Sequence, residues 1–196
     1  MHDKGGKAAL MESETTHFDA LTGAPLSRAV SGLFIRGLGG FGSAGRTMSA
    51  TLKRPPRAPD RVLELPTLPQ QALLYRLSGD YNPLHADGAV ARSVGFKFGA
   101  ILHGLCTFGI AARAVLDAFG DGDAARFKAI KVRFAAPALP GETFVAEMWA
   151  LPAEVSSAGV QRVQLEMKVK EREGVTVINS AYVDLYTHNG DERSKL

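Results

Sequence analysis

The chain has 196 residues, 45% of them hydrophobic and 22% charged, which is enough for one domain with a packed core and a smaller appendage. Its net charge of +3 is small, and no zinc-ligand spacing, RNA-binding aromatic motif or arginine-rich tract accompanies it, so no nucleic-acid partner is expected. The single cysteine, Cys106, excludes an internal disulfide and a cysteine metal cluster, and the lack of any run of about 18 apolar residues predicts no membrane span.

The N-terminal third of the chain shows little periodicity. Residues 1–25 are polar and aperiodic, and we expect them to be disordered or loosely attached. Within residues 26–66, the apolar run at 33–35 predicts a strand that leads into a glycine-rich loop at 37–45. The prolines that follow this loop indicate a linker.

Helical patterns come next and strand patterns follow them. The helical segments span residues 67–79, 87–95 and 104–119. The last of these is apolar on most faces, so we expect other structure to enclose it. Four extended runs then span residues 127–134, 143–150, 160–170 and 175–186, and the third alternates with the period of a strand. Helices followed by long strands predict an α+β fold in which an antiparallel sheet packs against a helix.

Residues 75–85, which read YRLSGDYNPLH, combine a carboxylate and an imidazole within a turn. Asn82 and Pro83 disfavour a continuing helix, so the chain must turn between Asp80 and His85. A turn can bring the two side chains to the same side, and an Asp–His pair that holds a water molecule can perform acid–base chemistry. Taken alone, the same two residues also fit a turn cap and a structural histidine.

A second candidate feature is the start of the long helical segment, at His103 and Gly104. Backbone N–H groups at a helix N-terminus have no partner within the helix, and they can stabilise negative charge that develops on a carbonyl oxygen. Glycine at this point allows a ligand to approach the backbone closely.

Residues 75–85 and 101–109 (ILHGLCTFG), together with three later segments, resemble the R-specific enoyl-CoA hydratase 2, or MaoC-like, family, which includes the hydratase domain of peroxisomal multifunctional enzyme type 2. The later segments are residues 126–134 (RFKAIKVRF), 140–143 (PGET) and 179–185 (NSAYVDL). The resemblance covers roughly residues 34–186, and the first two segments together are its most specific part.

The resemblance implies a hot-dog fold, in which an antiparallel sheet wraps around a long central helix, and it implies reversible hydration of trans-2-enoyl-CoA to (3R)-3-hydroxyacyl-CoA. It implies that Asp80 and His85 are the catalytic pair, that Asn82 positions them, and that Gly104 supplies the oxyanion N–H. No cofactor or metal is expected, because the CoA thioester is the substrate. The resemblance also makes His103, Lys128, Lys131 and Arg133 candidates for contacts with substrate or CoA. Basic residues that alternate along a strand also fit a solvated face.

The chain departs from the family pattern in its N-terminal part. Family members in eukaryotes carry two hot-dog repeats, whereas here residues 67–187 match the catalytic repeat and residues 26–66 resemble only the end of the non-catalytic one. The chain is therefore interpreted either as a shortened form or as a protein that pairs with itself. We expect a homodimer, because an unpaired sheet would leave an edge and an apolar face exposed. The acyl chain length that is preferred does not follow from the sequence.

The tail at residues 188–196 ends in Ser194, Lys195 and Leu196, which is the signal read by the peroxisomal import receptor, so we expect a peroxisomal location. Two other functions fit the same fold: an acyl-CoA thioesterase, and an acyl-CoA-binding or partner subunit with impaired catalysis. The spacing of Asp80 and His85, followed by His-Gly, favours the hydratase.

Overall fold

The computed structural model describes residues 1–3, 5–42, 51–153 and 158–187. The chain divides into two compact units, Met1–Ala50 and Thr51–Leu196. The tail signal Ser194–Leu196 lies outside the described residues. No helix within the described ranges is long and apolar enough to cross a membrane.

The first unit is a three-stranded antiparallel sheet in the order β1-β2-β3. Its strands are β1 (His2–Asp3), β2 (Ala8–Phe18) and β3 (Pro25–Arg36). The structure thus has strands within residues 1–25, for which the sequence predicted disorder or loose attachment. The turn between the two long strands is organised by Asp19, whose carboxylate accepts hydrogen bonds from the N–H groups of Leu21 (3.0 Å) and Thr22 (2.7 Å).

The second unit contains a five-stranded antiparallel sheet in the order β4-β6-β7-β8-β5. Its strands are β4 (Arg61–Pro66), β5 (Phe127–Phe134), β6 (Thr143–Ala150), β7 (Val160–Val169) and β8 (Thr176–Tyr186). The four runs predicted as strands are all strands. The fifth, β4, was placed with the linker and the first repeat, but it pairs with β6 and belongs to the catalytic unit.

Three helices precede most of this sheet in the chain: α1 (Gln71–Arg76), α2 (Gly88–Ser93) and α3 (Gly104–Phe119). Helix α3 contacts all five strands. It buries one face, formed by Cys106, Thr107, Ala111, Ala114 and Val115, whose spacing is that of a single helical stripe. Leu105 on another face is 62% exposed, so the single chain leaves part of the helix surface uncovered.

The core lies between α3 and the sheet. Strand β6 alternates, so that Phe144, Ala146 and Met148 are fully buried, and they pack with Ala111 and Val115 of the helix in one cluster. Burial of side chains of this size stabilises a fold by roughly 1.5–3 kcal/mol each. The core therefore anchors α3, and it fixes where the N-terminal end of this helix lies.

Candidate active site

The turn predicted between Asp80 and His85 is present. Asn82 lies before a 3-10 turn at Pro83–His85, and its side-chain oxygen accepts a hydrogen bond from the N–H of Leu84 (3.0 Å). The carboxylate of Asp80 accepts one from the N–H of Asn82 (3.1 Å). These local bonds are typical of Asx turns, and they place Asp80 on the surface while His85 is buried.

The imidazole of His85 is held by one hydrogen bond, from its Nδ1 to the carbonyl oxygen of Ile101 (2.9 Å). A carbonyl oxygen can only accept, so in the neutral ring Nδ1 carries the hydrogen. The second nitrogen, Nε2, is therefore left with a free lone pair. This is the protonation state that a general base requires.

His103 lies beside both of these residues. Its ring stacks on that of His85, with centroids 3.7 Å apart and planes inclined by 26°. Its Nε2 is 3.2 Å from the backbone oxygen of Asp80 and 4.0 Å from a carboxylate oxygen of the same residue. On its other side lies Tyr75, at 4.8 Å between centroids. Burial lowers the pKa of His103, which keeps this ring neutral.

Asp80, His85 and His103 also meet the spacing of a metal site, since one ligand atom from each lies within 4.8 Å of the others. A cation would need lone pairs that converge on it from about 2.0–2.2 Å. The two imidazoles stack face to face. One nitrogen of each ring is also committed to a backbone carbonyl. That the site holds no metal stays a prediction.

A cavity of 310 Å³ opens next to this group. Its lining is mainly apolar, and it is formed by His85, Phe96, Ile101, Leu102, Gly104, Thr107, Phe134, Ala135, Ala136, Pro137, Ala138 and Val177. Gly104 is the first residue of α3, so its N–H has no partner within the helix. A methyl group on Gly104 would lie 3.4 Å from the ring of Phe134, which shows how closely the ring approaches the helix start.

The wall of this cavity at residues 135–138 is held by a network around Glu142. The carboxylate of Glu142 accepts hydrogen bonds from the N–H of Leu139 (2.7 Å) and from Nη2 of Arg172 (2.8 Å). Arg172 also donates to the carbonyl oxygen of Pro137 (2.9 Å). A smaller cavity of 210 Å³ adjoins the same wall and is lined by Lys97 and Arg172 among others.

The structure brings together some of the predicted site residues and separates others. His85 and Gly104 line the cavity, and Asp80 and Asn82 lie in the adjoining turn. His103 is 1% exposed and does not line either cavity, and its contact with substrate stays a prediction.

The basic residues of β5 stand apart from this group. Lys128 lies 5.5 Å from the centroid of the Tyr186 ring, and neither cavity is lined by Lys128, Lys131 or Arg133. Their contact with CoA stays a prediction.

The sequence reasoning missed several residues that shape the site. Phe134 and Thr107 line the cavity. Arg76 donates a hydrogen bond to the carbonyl oxygen of Asn82 (3.0 Å) and so stabilises the turn. Phe134 ends a predicted strand, and Arg76 lies within residues 75–85. Neither position carries a local signal of a role in the site. The ion pair of Glu142 with Arg172 joins residues too distant in sequence to be paired by any pattern.

An antiparallel sheet packed on a long helix is the arrangement of a hot-dog protein, and here an Asp–His pair lies beside an apolar cavity. The family model described as MaoC like domain matches residues 50–177. The chain belongs to the MaoC-like family, and the resemblance inferred from its motifs is confirmed.

The relatives agree with this assignment. The chain is 49% identical over 160 residues to peroxisomal multifunctional enzyme type 2 of Mus musculus, covering 81% of the chain and 20% of that protein. It is 42% identical over 194 residues to peroxisomal enoyl-CoA hydratase 2 of Arabidopsis thaliana, covering 94% and 59%. The crystal structure of the MaoC-like dehydratase from Phytophthora capsici matches with a TM-score of 0.82 and 44% identity, covering 95% of this chain and 61% of that one.

This structural likeness confirms the predicted hot-dog fold. The chain spans less than two thirds of the length of each of these three relatives.

Proposed function

We propose that the chain hydrates trans-2-enoyl-CoA reversibly to (3R)-3-hydroxyacyl-CoA, as an enzyme of peroxisomal β-oxidation. The observation that carries this proposal is the proximity of Asp80 to His85, which lines an apolar cavity whose wall includes the start of α3. The relatives support it, since the matching proteins from mouse and Arabidopsis are named as a peroxisomal multifunctional enzyme and a peroxisomal enoyl-CoA hydratase.

The spacing of the two side chains suits a single water molecule. A carboxylate oxygen of Asp80 and a nitrogen of His85 lie within 4.8 Å of each other. A water that bridges two groups, with about 2.8 Å to each, spans up to roughly 5.6 Å. In the proposed reaction this water loses a proton to Nε2 of His85, while Asp80 accepts a hydrogen bond from its remaining hydrogen.

The hydroxyl group adds to carbon 3 of the enoyl unit, and the electrons of the double bond move toward the thioester. Negative charge then develops on the thioester oxygen, where the N–H of Gly104 can stabilise it. The proton held by the Asp80–His85 pair is delivered to carbon 2 and completes the addition. Because only water is added and no electrons are gained or lost, the proposed reaction needs no redox cofactor.

The test follows the absorbance of the enoyl thioester with purified protein and 2-enoyl-CoAs of short and long chain, with chiral analysis of the product. We expect loss of absorbance and formation of the (3R) isomer. Release of free CoA without hydration would support a thioesterase instead. Saturable binding with no change at the double bond would support a partner subunit.

We also propose that the chain forms a homodimer. Helix α1 and its flank expose Leu73 (53%), Leu74 (48%) and Leu77 (77%), and Leu105 at the start of α3 is 62% exposed. A concentration of apolar surface of this kind is typical of an interface between subunits. Sedimentation equilibrium is expected to give twice the monomer mass of 20.9 kDa, and a monomer at micromolar concentration would contradict the proposal.

The proposed location rests on Ser194, Lys195 and Leu196 and on the names of the relatives. Fusion of a fluorescent protein to the N-terminus is expected to give peroxisomal foci through the import receptor, and deletion of the last three residues is expected to disperse them. Foci that persist after the deletion would show that another signal directs the protein.

A further inference from the structure

His103 contacts both members of the candidate catalytic pair without itself reaching the cavity. It precedes the first residue of α3, is 1% exposed, and is enclosed by Tyr75 on one side and His85 on the other. Its side chain makes no capping bond to the helix, although the residue occupies the N-cap position. Its burial between these two rings therefore needs another explanation.

The first contact restrains the ring of His85. The single bond from Nδ1 to the carbonyl of Ile101 fixes one direction in the ring but leaves the plane free to tilt about that bond. The ring of His103 lies against this plane at 3.7 Å and removes that freedom. Together the two contacts set the direction in which Nε2 of His85 points.

The second contact restrains the chain at Asp80. Nε2 of His103 donates to the backbone oxygen of Asp80 over 3.2 Å, and because that oxygen only accepts, Nε2 carries the hydrogen of the neutral ring. The side chain of Asp80 is 53% exposed, so few other contacts hold this end of the turn. The same imidazole thus contacts the turn at Asp80 and the ring at His85.

The second ring nitrogen of His103, Nδ1, shows why histidine is present in place of another aromatic residue. Nδ1 is buried and has no hydrogen-bond partner among the described residues. An unpaired buried nitrogen costs about 1–3 kcal/mol. Phenylalanine would fill the same space between Tyr75 and His85 without this penalty, so the donor at Nε2 is the property that distinguishes histidine.

We propose that His103 is a positioning residue, which sets the separation and relative orientation of Asp80 and His85 for hydration. This inference rests on the proposed function for its catalytic consequence, whereas the orientation of the His85 ring can be tested independently. Neutrality of His103 belongs to the same role, because a positive charge stacked on His85 would oppose the arrival of a proton there.

Two variants separate the two contacts. His103→Phe keeps a ring against His85 and removes the donor to Asp80, while His103→Gln keeps an N–H donor and removes the ring. We expect each to lower kcat at least about tenfold with KM within about twofold of wild type, because misplacement of a catalytic group slows the chemical step and His103 does not line the cavity. His103→Leu removes both the ring and the donor, so we expect it to have the lowest kcat of the three variants.

Val115→Ala provides the control for lost stability. Val115 is fully buried in the middle of α3 and lies outside the cavity lining, so its truncation destabilises the fold without touching the site. We expect its kcat to equal that of wild type after correction for folded protein. If His103→Phe and His103→Gln behave like this control, with lower stability and unchanged kcat, His103 is structural and the proposal is overturned.

Nitrogen NMR of the histidine rings gives a readout that does not depend on activity. In wild type we expect His85 to show one tautomer, with the hydrogen on Nδ1, and in His103→Gln a mixture or a broadened signal. If wild type hydrates no enoyl-CoA but this change is seen, the proposed function fails and the positioning role stands. If wild type is active and neither kcat nor the His85 signal changes in either variant, the positioning role fails alone.

Discussion

The imidazole of His85 lies face to face with that of His103, with 3.7 Å between centroids and 26° between planes. His85 ends a 3-10 turn and His103 directly precedes α3, so the stack joins the turn that carries the carboxylate to the helix start that carries free N–H groups. A group that accepts a proton and a group that stabilises negative charge are thereby held side by side. Hydration of an enoyl thioester needs both at once.

The most direct prediction concerns the catalytic pair. Asp80→Asn keeps an oxygen that can accept the bond from the N–H of Asn82, so the turn should persist while the negative charge is lost. His85→Ala removes the free lone pair. We expect each change to lower kcat for enoyl-CoA hydration by at least about 100-fold, the usual loss when an acid–base group is removed. Steady-state assay of enoyl absorbance measures this.

Asp117→Asn is the matched control, because Asp117 is a partly exposed carboxylate on α3 that pairs with Arg113 on the surface. We expect it to retain full activity. Near wild-type turnover in Asp80→Asn or His85→Ala would show that the roles assigned to the pair are wrong.

Gly104 gives a second prediction. Gly104→Ala would place a methyl group 3.4 Å from the ring of Phe134, an ordinary contact distance, so the protein should fold. The same methyl group would enter the cavity beside the N–H proposed to face the thioester oxygen. We expect kcat/KM to fall at least about tenfold, in line with the loss of an oxyanion contact.

Gly109→Ala separates this effect from a change in helix stability. Gly109 lies in the same helix, and a methyl group there would meet no atom within 4 Å. It should raise the free energy of unfolding by up to about 1 kcal/mol and leave kcat/KM unchanged. Equal activity of the two glycine variants would argue against a role for the Gly104 backbone.

The turn at Asp80 and the helices beside it could be predicted because their signals are local. Asn82-Pro83 forces a turn, and Asp87 caps α2 by accepting hydrogen bonds from Ala89 and Val90. The strands of the core could be predicted because one buried face imposes an alternating pattern, as it does in β6.

The hairpin of β2 and β3 could be predicted only in part, from the apolar run at 33–35 that lies within β3. Beyond residue 10 its strand β2 is exposed at every position, and β3 is exposed nearly throughout, so no apolar period marks them. The role of His103 was also out of reach. Its contacts with Asp80 and His85 join segments distant in sequence, and only the three-dimensional structure shows that the residue is buried behind the cavity.

The buried His103 also predicts how stability depends on pH. Burial lowers its pKa below the ordinary value of 6.5, so between these two values the unfolded chain binds a proton that the folded chain does not. The free energy of unfolding therefore falls as the pH drops below about 6.5, and this loss levels off below the folded pKa.

Urea denaturation at about pH 7.5 and about pH 5 measures the effect, above the range in which carboxylates of lowered pKa titrate. In His103→Phe this part of the pH dependence should disappear. An identical dependence in wild type and variant would show that another group is responsible.

Cys106 is expected to be unreactive in the folded protein. It is 5% exposed, and burial raises the pKa of its thiol, so little thiolate is present near neutral pH. Iodoacetamide should label the native protein slowly and the urea-unfolded protein fast, which mass spectrometry reports. Leu21→Cys places a thiol at a position that is 97% exposed, and it should label at once in the native state. Rapid native labelling of Cys106 would contradict its burial.

The network around Glu142 gives the last prediction, because it links stability to the shape of the cavity. Glu142→Ala removes the acceptor for Leu139 and Arg172 and leaves the guanidinium with only the carbonyl of Pro137. Both partners are largely buried, with 9% and 23% of their side chains exposed, so we expect a loss of about 2–3 kcal/mol in the free energy of unfolding. Urea denaturation measures this loss.

The wall at residues 135–138 should also loosen in this variant, which raises KM for enoyl-CoA because the cavity no longer fits the acyl group closely. Glu64→Ala breaks a comparable ion pair with Lys170, but both of those side chains are 54% exposed. Water screens such a pair, so its removal should cost less than about 1 kcal/mol and leave KM unchanged. Equal KM values in the two variants would mean that Glu142 stabilises the fold without shaping the cavity, and that the wall is held by the backbone alone.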